Sequence, residues 1–330
     1  MILSRRHLGR LLTGAVFGQW ILPSRAQAMH PFHVDRLLEG NPSEPVTEQY
    51  RQYRADAVVS LFSVTIFSRT GVGSGYASFR RGRRDGAVVT ISRFGGGSFP
   101  ARAHNLNRFG VIEEVVVEKE SRPVEAAYFG FMTSSPEEGI GDARKSLDAG
   151  HDTVPYVAAE GHISADNFHS VKQRFQFPSK LTWTERTSLL QQVRSQFYAS
   201  TPEIREVRFS GTSWPGTFLA CMAKAIQQHQ GRFQGEYVYN AKHFRVSLDK
   251  SPDPKMASVF AAKKLTDRPE AVSQLRGVIH DDRTGKLTRF RLWIEEDGAS
   301  LLPLRIELQA RSFLALAFEY DPTLPAVKEA

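Results

Sequence analysis

From Lys286 to Asp321 apolar and polar side chains take turns along the chain. Thr288, Phe290, Leu292 and Ile294 alternate with Arg289, Arg291, Trp293 and Glu295. Leu302, Leu304, Ile306 and Leu308 then alternate with Pro303, Arg305, Glu307 and Gln309. Successive side chains of a strand point to opposite faces, so each run predicts a strand with one apolar and one charged face. Asp297-Gly298, between the runs, offers the positive φ that a hairpin turn needs. A third run, Phe313 to Tyr320, puts Leu314, Leu316 and Phe318 on one face. The pattern predicts an antiparallel meander, buried on one side and wet on the other.

The same reading places strands at Val58–Ser68 and Tyr76–Arg80, turned about the glycines of RTGVGSG. Others fall at Val88–Phe94, Val111–Glu120, Val124–Thr133, Val154–Ile163 and Phe168–Phe177. A hairpin at Glu236–Tyr239 and His243–Leu248 follows, then strands at Val259–Lys264 and Ser273–His280, with Ser251–Pro254 as a loop. Helical spacing marks Thr184–Phe197, with Leu189, Leu190, Val193 and Phe197 on one stripe, and the more apolar Phe218–Gln228. A capping box at Ser135–Glu138 predicts a helix running to Leu147, and Glu48–Arg54 reads as a short helix. Strands and helices alternate too irregularly for a parallel βαβ protein. The expected fold is therefore mainly β with packed helices, a β-rich α+β protein. Its antiparallel sheet is curved or half-closed, with two or three helices on the concave side.

Charge refines this picture. The formal net charge of +8 includes Arg5, Arg6, Arg10 and Arg25, and the first 28 residues hold no acid, which leaves +4 for the rest. So small an excess does not support nucleic-acid binding. Ser4-Arg5-Arg6-His7-Leu8 follows the twin-arginine export pattern, and Leu11–Leu22 is an apolar stretch too short to span a bilayer. Ala26-Gln27-Ala28 supplies a small-x-small cleavage site. An ordinary secretory signal that begins with two arginines is the alternative. The expected layout is a signal peptide at 1–28, a polar segment at 29–56, one β-rich domain at 57–321 and a tail at 322–330. That layout implies a periplasmic or secreted protein without a transmembrane segment, exported as a precursor by the twin-arginine machinery. The single cysteine, Cys221, excludes an intrachain disulfide and sits in the apolar run FLACMAKAI, which predicts a buried, inert thiol.

The runs RLWIEEDGASLLPLRIE, VTIFSRTGVGSGYASF and TSLLQQVRSQF together resemble the exported family called domain of unknown function 3108. The resemblance implies a β-rich envelope protein and carries over no catalytic residue. Read by themselves, the residues show little chemistry. GVGSG and FGGGS lack the Lys-Ser/Thr ending of a phosphate loop, and no G-x-S-x-G nucleophile motif occurs. HISADNFH sets His162 and His169 around Asp166, the candidates for a metal or proton-transfer site; their spacing matches no standard ligand set. The reading preferred here is a non-enzymatic binding or cell-envelope protein. It needs no cofactor, and its apolar cleft takes a lipid-like or otherwise hydrophobic small molecule. The alternative is a periplasmic hydrolase or metal-dependent enzyme built on that His/Asp cluster.

Overall fold

The alternating runs form fourteen strands in the computed structural model. It describes residues 47–61, 64–98, 108–134, 141–164, 167–179, 203–208, 216–228, 231–239, 242–296, 300–311 and 314–324, with a few helical positions between 185 and 193. The strands are β1 (Thr47–Leu61), β2 (Val64–Arg84), β3 (Ala87–Ser98), β4 (Phe109–Lys119), β5 (Arg122–Thr133), β6 (Thr153–Ser164) and β7 (Asn167–Pro178). After them come β8 (Glu203–Arg208), β9 (Arg232–Tyr239), β10 (Lys242–Pro252), β11 (Val272–Asp281), β12 (Leu287–Glu295), β13 (Arg305–Arg311) and β14 (Leu314–Tyr320). Among the described residues the helices α1 (Ala143–Asp148), α2 (Phe218–Gln227) and α3 (Pro254–Ala262) are minor beside them.

All fourteen strands belong to one open sheet, ordered β8-β7-β6-β5-β4-β3-β2-β1-β14-β13-β12-β11-β10-β9. Each is antiparallel to its neighbours. The first and last strands meet in the middle, with Tyr53 opposite Tyr320 and Ala57 opposite Leu316. Two meandering arms, β1–β8 and β14–β9, extend from that seam, and the chain crosses between their far ends through α2.

An open sheet of this size exposes two edges unless it curls. Burial shows how the β9 edge is covered. Tyr237 packs with Cys221 and Met222 of α2, whereas Val238, on the other face of β9, packs with Val116, Ala126, Tyr128, Ile163 and Phe168. The C-terminal arm is thus rolled inside the N-terminal one. The Tyr128 and Tyr239 rings lie 5.0 Å apart across this overlap. Gly216, just before α2, exchanges backbone hydrogen bonds with β9, accepting from Val238 and donating to the Glu236 carbonyl.

The helices divide between the two faces. Only α2 occupies the inside of the roll among the described residues. Ala143 of α1, with Leu189 and Val193, joins Phe129, Phe131 and Tyr156 on the outer face of the N-terminal arm. Ala257 and Phe260 of α3 cover Val272 and Trp293 on the outer face of the C-terminal arm. The expectation of two or three helices on the concave side is therefore corrected. Tyr128 and Phe129, adjacent on β5, point to opposite faces and are both buried, so each face needs its own cover.

Other local readings change for identifiable reasons. Glu48–Arg54 is part of β1, not a helix, because β1 is a central strand paired on both sides by β2 and β14. RTGVGSG does not turn the chain; it lies inside β2, where the register against β1 jumps between Ala55 and Ala57. Gly71 takes φ +64 at this bulge, and its N–H donates to Asp56 Oδ1 at 2.8 Å. Val259–Lys264 belongs to α3 and the turn after it, where Asp253 caps the Met256 N–H and Pro254 holds the first helical position. Helix α1 starts at Ala143 with Asp142 as its cap. The Ser135–Glu138 capping box and the Asp297-Gly298 turn lie outside the described residues.

Candidate functional site

Helix α2 reads FLACMAKAIQ, a run without glycine or proline whose Phe218, Leu219, Met222 and Ile226 recur at helical spacing. Its first turn is completed from elsewhere in the fold. Thr217 at the cap position makes no side-chain bond to the helix. Instead, Glu114 of β4, 105 residues away, accepts from the Leu219 N–H at 2.8 and 2.9 Å and from the Ala220 N–H at 3.1 Å. A carboxylate here meets both the unpaired donors and the positive end of the helix dipole. Glu114 is 1% exposed. Burial pushes its carboxyl up to about 7, against the opposing pull of donors from Thr217, Leu219, Ala220 and Phe218. One turn further on, Cys221 is buried and free, and burial with the neighbouring Glu114 pushes its thiol up to about 12. Such a thiol is inert at neutral pH, as its apolar run predicts.

Two cavities flank this helix. One, of about 220 Å³, lies between α2 and the inner face of the sheet, with Phe79, Phe94, Met222, Phe290, Leu292 and Phe318 among its walls. The polar residues along it are Ser78, Ser92 and Arg93, and Arg93 is tied to Glu113 at 2.7 Å. The other, of about 850 Å³, is mixed in character and includes Arg81, Glu118, Lys224, Glu236, Arg245 and His280. Phe79, Ala223 and Leu301 line both. The space beside α2 is thus apolar on one flank of the helix and mixed on the other.

The sequence candidates stand elsewhere. His162 is on β6 with its Cα opposite that of His169 on β7. Its Nε2 lies 2.7 Å from Glu125 Oε1, on the face opposite Ile163 and therefore away from α2. Asp166 and the His169 side chain lie outside what is described, as do Arg5, Arg6, Ala26 and Ala28. Among the described residues no group of three His, Cys, Asp or Glu side chains is placed to hold a metal ion. The double variant His162→Ala/His169→Ala is expected to stay folded with unchanged metal content. Elemental analysis of the two pure proteins checks this, and stoichiometric zinc lost from the variant would overturn it.

Glu114 was missed, although a signal existed. Glu113-Glu114 interrupts the apolar strand VIEEVVV, and two adjacent strand residues cannot share one wet face. Both are buried, Glu113 against Arg93 and Glu114 against α2.

Among the described residues, fold and interior together define an open antiparallel β-sheet rolled around one helix. The chain is similar to the crystal structure of a beta-barrel-like protein of domain of unknown function DUF1849 from Brucella abortus. The identity is 8% and the TM-score 0.43, over 82% of this chain and 95% of that one. No family model matches the chain, so the resemblance to domain of unknown function 3108 is not shown. No curated protein matches it.

Proposed function

We propose that this chain is an exported binding protein that holds a hydrophobic small molecule in the apolar cavity beside α2. The observation that carries the reading is the cavity of about 220 Å³ walled by Phe79, Phe94, Phe290, Leu292 and Phe318. Apolar cavities of about 150 Å³ stay dry and take up benzene. The space here suits one ring or a short alkyl chain, and each buried methylene contributes about 0.8 kcal/mol.

Octanol is a suitable probe. Calorimetric titration is expected to show binding to the wild type and binding at least about tenfold weaker to Ala223→Leu. Three added carbons would crowd the boundary of the cavity, and leucine is a good helix former, so the fold should persist. Equal binding by both proteins would remove the cavity from the proposal, and no binding by either would remove the proposal itself.

Export is the second part of the reading and rests on Arg5 and Arg6. Replacing both with lysine keeps the charge but loses the address that the export receptor reads. Precursor should then remain in the cytoplasm. Maturation at the wild-type rate, followed by fractionation and immunoblotting, would contradict the twin-arginine route.

A further inference from the structure

We infer that the ligand is an amphiphile with an acidic head, its tail in the apolar cavity and its head at Lys224 in the larger cleft. The inference rests on the binding reading above and adds the chemistry of the head. Met222 and Ile226 line the apolar cavity, Lys224 lines the cleft, and Ala223 between them lines both. Successive helical residues are about 100° apart, so one small side chain marks the passage from one flank of α2 to the other. Phe79 and Leu301 likewise line both spaces, from the sheet side.

The cleft's other charges are already engaged. Arg81 faces Glu118 at 3.6 Å, Arg245 holds Asp282 at 2.7 Å, and Glu236 lies 3.3 Å from His243. Lys224 is the sole charged residue of α2 and makes no ion pair among the described residues. An ammonium in the cleft beside an apolar cavity favours a carboxylate or phosphate head over a neutral one. The remaining length of the molecule is then buried among aliphatic and aromatic walls.

Titration at about pH 8 with octanol, octanoate and octyl phosphate tests this, because both acids are then ionised. In the wild type the acidic probes are expected to bind about three- to fivefold tighter than octanol, the range open to one partly exposed ion pair. Lys224→Glu should reverse that preference, read in each protein as the ratio of the acidic probes' affinity to that of octanol. A larger gain for octyl phosphate or for octanoate identifies the head. Octanol binding with no response of the acidic probes to Lys224→Glu overturns the acidic head and leaves the cavity reading intact. Failure of all three probes to bind overturns the binding reading instead.

Discussion

Arg305→Asp is expected to unfold this protein or bring it close to unfolding, although strict alternation places Arg305 on the charged face of its strand. An exposed position there would make the change worth only about 0–1 kcal/mol. In the fold the Arg305 side chain is 15% exposed, and that of Glu319 is 4%. Arg305 donates to Glu319 Oε2 at 2.6 Å and to Glu307 Oε1 at 2.9 Å, and its guanidinium lies 5.8 Å from the Trp293 ring. Lys263, just after α3, donates to the other Glu319 oxygen at 2.6 Å. Aspartate would place a third carboxylate beside Glu307 and Glu319, which keep Arg291 and Lys263 but lose the cation they share. Breaking a buried pair from one side costs about 3–5 kcal/mol, against a whole-domain stability of roughly 5–15 kcal/mol. Ile306, the next residue, is half-buried on the inner face, so Ile306→Asp should be damaging as well. Thermal melts of the two variants should both fall far below the wild type. A wild-type-like melt of Arg305→Asp would mean that the ion network is solvated.

Glu114→Gln should remove a pH dependence that the wild type shows. The native carboxyl titrates at about 7 and the ordinary value is 4.5, so between these limits the folded protein holds a proton that the unfolded chain has released. Stability from this group is therefore full below about 4.5 and is lost as pH rises through about 7. A factor of ten in proton affinity is worth about 1.4 kcal/mol, which makes the whole span roughly 3 kcal/mol. Urea melts of the wild type should give lower stability at about pH 8 than at about pH 5, and the glutamine variant should be nearly flat. Parallel profiles for the two proteins would show that another group titrates. Glu114→Ala adds a separate cost of about 1–3 kcal/mol, because the Leu219 and Ala220 N–H groups lose their acceptor.

Much of the strand set was legible. Leu287–Glu295 and Val272–Asp281 lie where period-two alternation places them, and Phe218–Gln227 is helical as its apolar spacing demands. The errors came from signals that compete locally. Asp253-Pro254 is a cap and first-position pair, yet the β-branched and aromatic Val259 and Phe260 beyond it suggested a strand. Glu48–Arg54 is polar enough to pass for a surface helix, and only its neighbours β2 and β14 make it a strand.

The division between the two levels follows from range. A period of two or of 3.6 is written within a dozen consecutive residues, so strand, helix and the pairing of faces within one strand are local properties of the chain. Which face meets water is not local, because it depends on what the rest of the chain lays over it. Trp293 and Arg305 are covered by α3 and its following turn, which approach from some 40 residues away in sequence. Tyr128 and Phe129 are both buried because β9 enters the roll on one side and helical residues cover the other. The cavity and the carboxyl of Glu114 belong wholly to this second level. Neither exists until α2, whose Leu219 lies 105 residues after Glu114, is seated inside the sheet and turns its unpaired N–H groups towards that carboxyl.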